Sequence, residues 1–144
     1  MAKLEDILNL WEKDCEIDKS HLDTEILNIP KLHHKYLKLL AQERLAYKEL
    51  ERRKKEISQS LWLYFSGKAD SQVYRDNPLP NDLITNTKIK DYIEIDDRFV
   101  KIQQKIDIAN EKIELLVEII KEINSRSYKI RNYIDWQKFT SGVN

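Results

Sequence analysis

Four consecutive cations, Arg52, Arg53, Lys54 and Lys55, are followed within two to three helical turns by Trp62, Tyr64 and Phe65, and then by Lys68. These side-chain types suit one kind of chemistry together. The cations neutralise phosphates, and the rings offer faces on which unpaired bases stack, so the set holds the ingredients of single-strand binding. Four cations in a row also sweep most of a helix circumference, which makes the segment hard to bury and turns it toward solvent or phosphate. Most such runs are solvated faces. The rings suit a core equally well, because Leu61 and Tyr64 lie on an apolar seam, and spacing alone leaves both roles open.

Catalytic chemistry finds no counterpart in the sequence. There is no glycine-rich phosphate loop, no nucleophile with a placed base and no carboxylate cluster with metal spacing. Two glycines in 144 residues come close to excluding a nucleotide-binding loop. His33 and His34 are adjacent and point to different sides of a helix, His21 stands apart, and Cys15 is the single cysteine, so neither a zinc site nor another cofactor is expected. A lone cysteine cannot form an internal disulfide, which agrees with a reducing compartment. No apolar run is long enough to span a bilayer and no basic-then-apolar signal segment opens the chain, so a soluble intracellular protein without a membrane partner is expected. The expectation is a binding or assembly protein, not an enzyme.

The elements that must position the basic and aromatic residues are helices. Few glycines and prolines among abundant Leu, Ile, Lys and Glu give a mainly α class, and the length suits one domain spanning 1–144. Net charge is zero but unevenly placed: residues 1–30 carry three basic and eight acidic side chains, residues 31–70 ten basic and five acidic. Leu4, Ile7, Leu8 and Trp11 form the apolar face of a short acidic helix, which either packs on its own chain or docks a basic partner. Residues 17–29 hint at an extended connector or short strand through Leu22, Thr24 and Ile26. Asn28 and Pro30 then start a long basic helix over 30–66. Its stripe runs through Tyr36, Leu40, Tyr47, Leu50, Ile57, Leu61 and Tyr64, with Glu43 and Lys54 as breaks that fit a partly solvated helix and fix its register. Ser66 and Gly67 end it, and a loop over 67–87 follows.

The organising stretch comes next. Tyr92, Ile95, Phe99, Ile102, Ile106, Ala109, Ile113, Leu116, Ile120 and Ile123 recur at steps of three and four, and Ile130 and Ile134 resume the rhythm. A second line, Ile108, Leu115 and Ile119, widens the apolar arc. Long helices in a coiled-coil-like antiparallel arrangement are therefore expected. Residues 88–144 are expected to join copies of the chain through Phe99, Ile102, Ile106, Ile113, Leu116, Ile120 and Ile123. A single-chain antiparallel bundle would use the same stripe.

The N-terminal "LEDIL", the "RRKK" followed by "LYFSGKAD", and the C-terminal "INSRSYKIRNYIDWQKFTSG" resemble the UvsY family, recombination mediators of tailed bacteriophages of the T-even type, and cyanophage-like members above all. The likeness covers nearly the whole chain, in block order and spacing. It implies a non-enzymatic protein that binds single-stranded DNA and assembles as a ring, a hexamer or heptamer. Such a protein helps the phage recombinase displace the phage single-strand binding protein, in homologous recombination, repair and recombination-dependent replication, in the cytoplasm of the infected bacterial host. Carried over by position, the resemblance sets Lys54, Lys55 and Lys68 on basic positions of the family. T-even members have a Lys-Ala-Arg-Leu stretch where this chain has Gln59, Ser60, Leu61 and Trp62, without a cation. Arg52 and Arg53 would then supply charge one to two turns earlier, Trp62 a stacking face and Tyr64 a second ring. The competing class is a helical coiled-coil structural or adaptor protein without DNA binding.

Overall fold

The computed structural model describes residues 2–79 and 84–142, and all the regular structure among them is helical: α1 (Leu4–Asp14), α2 (Leu22–Leu27), α3 (Ile29–Phe65), α4 (Ser71–Asp76), α5 (Asn86–Ile95), α6 (Asp97–Asn124) and α7 (Arg126–Thr140). Pro30 sits in the first turn of α3, where its missing N–H would have no intrahelical acceptor. Gly67 follows the last turn at a φ of 78°. The described residues group into two compact units, Met1–Arg44 with Asn110–Asn144, and Leu45–Ala109.

In the first unit Ile7 of α1 is buried together with Tyr36 and Leu40 of α3 and Leu116, Ile119 and Ile123 of α6. The acidic N-terminal helix therefore packs on its own chain, and Trp11 meets the Tyr36 ring edge-on with centroids 5.5 Å apart. The Tyr36 hydroxyl donates to the Asp14 carboxylate at 2.9 Å, and Lys35 reaches the same oxygen at 2.6 Å. Burial first, and that hydrogen bond second, raise the Tyr36 phenol well above its ordinary pKa. Arg126, almost fully buried at the start of α7, donates to the carbonyls of Asp14 and Glu16 and to the Glu25 carboxylate, at 2.9, 2.9 and 3.0 Å. One guanidinium so ends α1, holds α2 and fixes the base of α7.

Two turns along α3 from Tyr36, Glu43 faces Lys112 of α6, which sets the two helices antiparallel. Glu43 is 3% exposed and Lys112 7%, and Lys112 Nζ stands 2.9 Å from Glu43 Oε2. Oε2 gains no hydrogen bond of good geometry, whereas Nζ donates to the Ala2 carbonyl at 3.3 Å. The attraction is therefore coulombic, and it is strong because water is excluded. Glu43 was expected to mark a solvated stretch. The structure corrects this: the charge is buried and matched by a cation, which the pattern of one helix cannot reveal.

In the second unit Leu61 and Phe65 of α3 are buried with Ile89 of α5, and Ile57, Tyr64, Tyr92, Ile93 and Phe99 pack around them. Lys54, the other break in the α3 stripe, is half-buried with its ammonium 5.5 Å from the Phe99 ring centroid.

Two further expectations are corrected, and the organising stretch is divided. Residues 22–27 form a helix and not a strand, since α2 is held by Arg126 and packs against α7. The loop after Gly67 contains α4, while the expected loop positions 80–83 lie outside the described residues. The stretch 92–134, whose apolar rhythm runs to Ile123 and resumes at Ile130, is divided among three helices. Asp96 is extended (ψ 137°) and its carboxylate accepts from the Arg98 N–H at 2.9 Å, starting α6 afresh, and Ser125 separates α6 from α7.

Removing one partner of the buried pair leaves the other uncompensated. Glu43→Leu or Lys112→Leu is expected to destabilise the protein by about 3–5 kcal/mol, and the double substitution by clearly less. Urea denaturation of the three variants followed by circular dichroism is the check.

Candidate nucleic-acid interface

α3 buries Leu61 and Phe65, so which side chains face outward is fixed by the helical repeat. Lys48, Arg52, Lys55, Gln59 and Trp62 recur at steps of three and four along that outer side, and all five are exposed. At 1.5 Å per residue they span about 21 Å, the length of a few nucleotides of extended single strand. The sequence run was legible as four adjacent cations. The stripe that includes Lys48 and drops Lys54 appears only once the buried face is known.

The end of the stripe is built by the helix terminus. Gly67 N–H reaches the Tyr64 carbonyl at 3.2 Å and Lys68 N–H the Leu63 carbonyl at 3.0 Å, the paired bonds that close a helix through a left-handed residue. The chain thereby turns back on itself, and Lys68 Nζ comes to rest 5.0 Å from the Trp62 ring centroid. Trp62 is 42% exposed, a stacking face with a cation already on it.

Arg52 and Arg53 point to solvent but are engaged. Arg52 donates to Glu49 at 2.6 and 3.1 Å and also to Glu56, and Arg53 lies 3.5 Å from Glu49. The hydrogen bond from Arg52 is the main cause holding the Glu49 carboxyl below its usual range. Exposed pairs of this kind contribute little stability, so a phosphate can displace the carboxylates at small cost. Lys48 and Lys55 have no ion-pair partner among the described residues.

Two residues expected at the interface make contacts within the fold. Lys54 lies over Phe99, on the packed side of α3. The Tyr64 ring stacks on Tyr74 at 5.6 Å and meets Phe65 at 5.0 Å, and its hydroxyl is shared between the carbonyls of Asn77 (3.0 Å) and Pro78 (3.1 Å). Tyr74 of α4 in turn places its hydroxyl 2.8 Å from the Tyr64 carbonyl and accepts the Ala69 N–H at 3.1 Å, closing off the end of α3.

The seam expected to join copies is largely used within one chain. Ile102, Ile106, Leu116 and Ile123 are buried, and Phe99, Ile113 and Ile120 are half-buried. The apolar side chains left exposed towards the C-terminus are instead Ile108 at 55% and Tyr128, Trp136 and Phe139 of α7 at 64, 62 and 83%. Among the described residues no group of His, Cys, Asp and Glu is arranged to hold a metal ion, and no helix is long and apolar enough to cross a membrane.

A family model described as "Recombination, repair and ssDNA binding protein UvsY" matches residues 10–143. The chain belongs to the UvsY family. Crystal structures of the bacteriophage T4 recombination mediator protein UvsY share its fold. One in lattice type II aligns with a TM-score of 0.85 at 21% identity, over 98% of this chain and 99% of that one. Another, in lattice type IV, gives 0.80 at 20% identity over 96% and 99%, and a third, in lattice type I, 0.83 at 21% over 94% and 98%. No curated protein matches the chain. The UvsY family is one of recombination, repair and single-stranded-DNA-binding proteins, and the all-helical architecture is the UvsY fold.

The φ of Gly67 is open only to glycine at low cost, although an added Cβ would meet no atom within 4 Å. Gly67→Ala is expected to destabilise the fold by roughly 1 kcal/mol, through backbone conformation alone. Thermal denaturation measures it, and an unchanged Tm would reject this account of how Lys68 is placed.

Proposed function

We propose that this protein is a non-enzymatic recombination mediator that holds single-stranded DNA along the outer face of α3. It acts in the host cytoplasm and promotes loading of the phage recombinase onto DNA coated by single-strand binding protein, in recombination, repair and recombination-dependent replication. The observation that carries the reading is the exposed line Lys48, Arg52, Lys55 and Trp62, ending in Lys68 stacked on Trp62. The cations neutralise successive phosphates and release their counterions, and the indole takes a base without regard to its identity, as a mediator acting on any sequence requires.

One chain offers few cations, so its grip is weak and steeply salt-dependent, with log K falling by about 0.7 per phosphate neutralised. Assembly as a ring, a hexamer or heptamer, repeats the stripe. Linked sites raise avidity on the order of 10²–10⁴ over one site, which lets a protein of zero net charge retain a strand. Because the seam residues of α6 serve the chain's own core, the surface we assign to assembly is the exposed aromatic face of α7. A strand bent along repeated stripes is a poor substrate for a protein that binds it extended, and its bases remain open to the recombinase.

Lys48→Ala with Lys55→Ala is expected to weaken oligonucleotide binding and to flatten the salt slope by about 1.4 per chain engaged. Lys54→Ala is expected to change it little. Glu49→Gln with Glu56→Gln, which frees Arg52 and Arg53, should tighten binding and steepen the slope. Fluorescence anisotropy with a labelled oligothymidylate at two salt concentrations reads all three, and equal slopes in every variant would remove α3 from the interface.

A further inference from the structure

A groove in the unit formed by Met1–Arg44 and Asn110–Asn144 has no part in DNA binding as proposed. Leu4 and Leu8 of α1 and Leu115 of α6 line it, with Glu111, Glu114 and Glu118 along its α6 side, and it encloses about 300 Å³. Leu8 is 47% exposed. On α1, Glu5 and Glu12 stand about one turn to either side of Leu8, on the same face. The carboxylates are mostly free. Glu118 pairs with Lys121 at 3.0 Å and Glu114 accepts only the Asn110 amide at 3.2 Å, while Glu5, Glu12 and Glu111 meet no cation among the described residues. Lys112, the other cation on this stretch of α6, is buried against Glu43.

An apolar floor edged by carboxylates, all but Glu118 without a cation, fits a specific shape of partner. From Glu111 to Glu118 the groove runs about 10 Å, two turns of helix. We propose that it docks an amphipathic helix of another protein, with apolar side chains at i and i+3 or i+4 seated on Leu4, Leu8 and Leu115. Lys or Arg on the flanks of that helix would meet the five glutamates. A second copy of this chain is a poorer occupant. The exposed face of its α7 sets Asp135 beside Tyr128, Trp136 and Phe139, which would bring a carboxylate onto an acidic rim, its Lys129 is already bound to Glu122, and only Arg131 and Lys138 could answer the glutamates.

The test is nuclear magnetic resonance of the full-length, ¹⁵N-labelled protein titrated with a synthetic helical peptide, leucines on one face and lysines on the other. A peptide of the same composition with the pattern scrambled is the control, and Glu111→Lys with Glu114→Lys is the variant, checked for folding by circular dichroism. The amides of Leu4, Leu8 and residues 111–118 are expected to shift, and the patterned peptide to bind at least tenfold more tightly than the scrambled one. The variant should lose at least tenfold in peptide affinity while keeping its sedimentation coefficient and its affinity for oligothymidylate. Shifts confined to other surfaces, equal binding of the scrambled peptide, or unchanged affinity in the variant would overturn the proposal. Loss of self-association in the variant would also overturn it, by giving the groove to a second copy.

Discussion

Everything about the proposed interface depends on which side of α3 is buried. A 37-residue helix presents every side chain to some direction, and only packing decides which of them water and ligands can reach. In one unit the decision is made by Tyr36 and Leu40, and by Glu43 against Lys112; in the other by Leu61 and Phe65, with Lys54 against Phe99. The two charged breaks in the stripe therefore act as register marks. Each finds one partner on the antiparallel helix, and a shift by one residue would strand a charge among apolar groups.

The short elements serve the ends of the long ones. Arg126 satisfies the carbonyls at the close of α1, Asp96 restarts the chain for α6, and Tyr74 covers the last turn of α3, so these three helix ends are each met by a side chain of their own unit. The same economy builds the proposed interface. The glycine that terminates α3 also turns Lys68 onto Trp62, so one backbone conformation both ends the helix and completes the proposed binding stripe.

Much of this was legible in the sequence, and what was not has a physical reason. The long helices, the Asn28–Pro30 start and the Ser66–Gly67 stop follow from local chemistry and appear as expected. The resemblance carried by "RRKK", "LYFSGKAD" and the C-terminal block named the right family. Residues 22–27 misled because their helix depends on Arg126, about a hundred positions away. Glu43 misled because its counter-charge lies on another helix. Tyr64 and Trp62 are two positions apart and equally aromatic, yet one anchors the Asn77–Pro78 backbone and the other faces outward. Which of Phe99, Ile102, Ile106, Ile113, Leu116, Ile120 and Ile123 would be free for another copy could not be read from a heptad, since a seam looks the same whether it closes on its own chain or on a neighbour.

The central claim is that the exposed side of α3, with Trp62 at its end, is where unpaired bases rest. Photocrosslinking with a single-stranded oligonucleotide carrying 5-iododeoxyuridine, followed by mass spectrometry of the adducts, tests it most directly, because the protein holds three tryptophans in different settings. Trp11 lies edge-on against Tyr36 and Trp136 stands exposed on α7. A dominant adduct at Trp62 is the result expected. Adducts at Trp136, or on α7 generally, with Trp62 untouched would contradict the account and move the strand to the other unit.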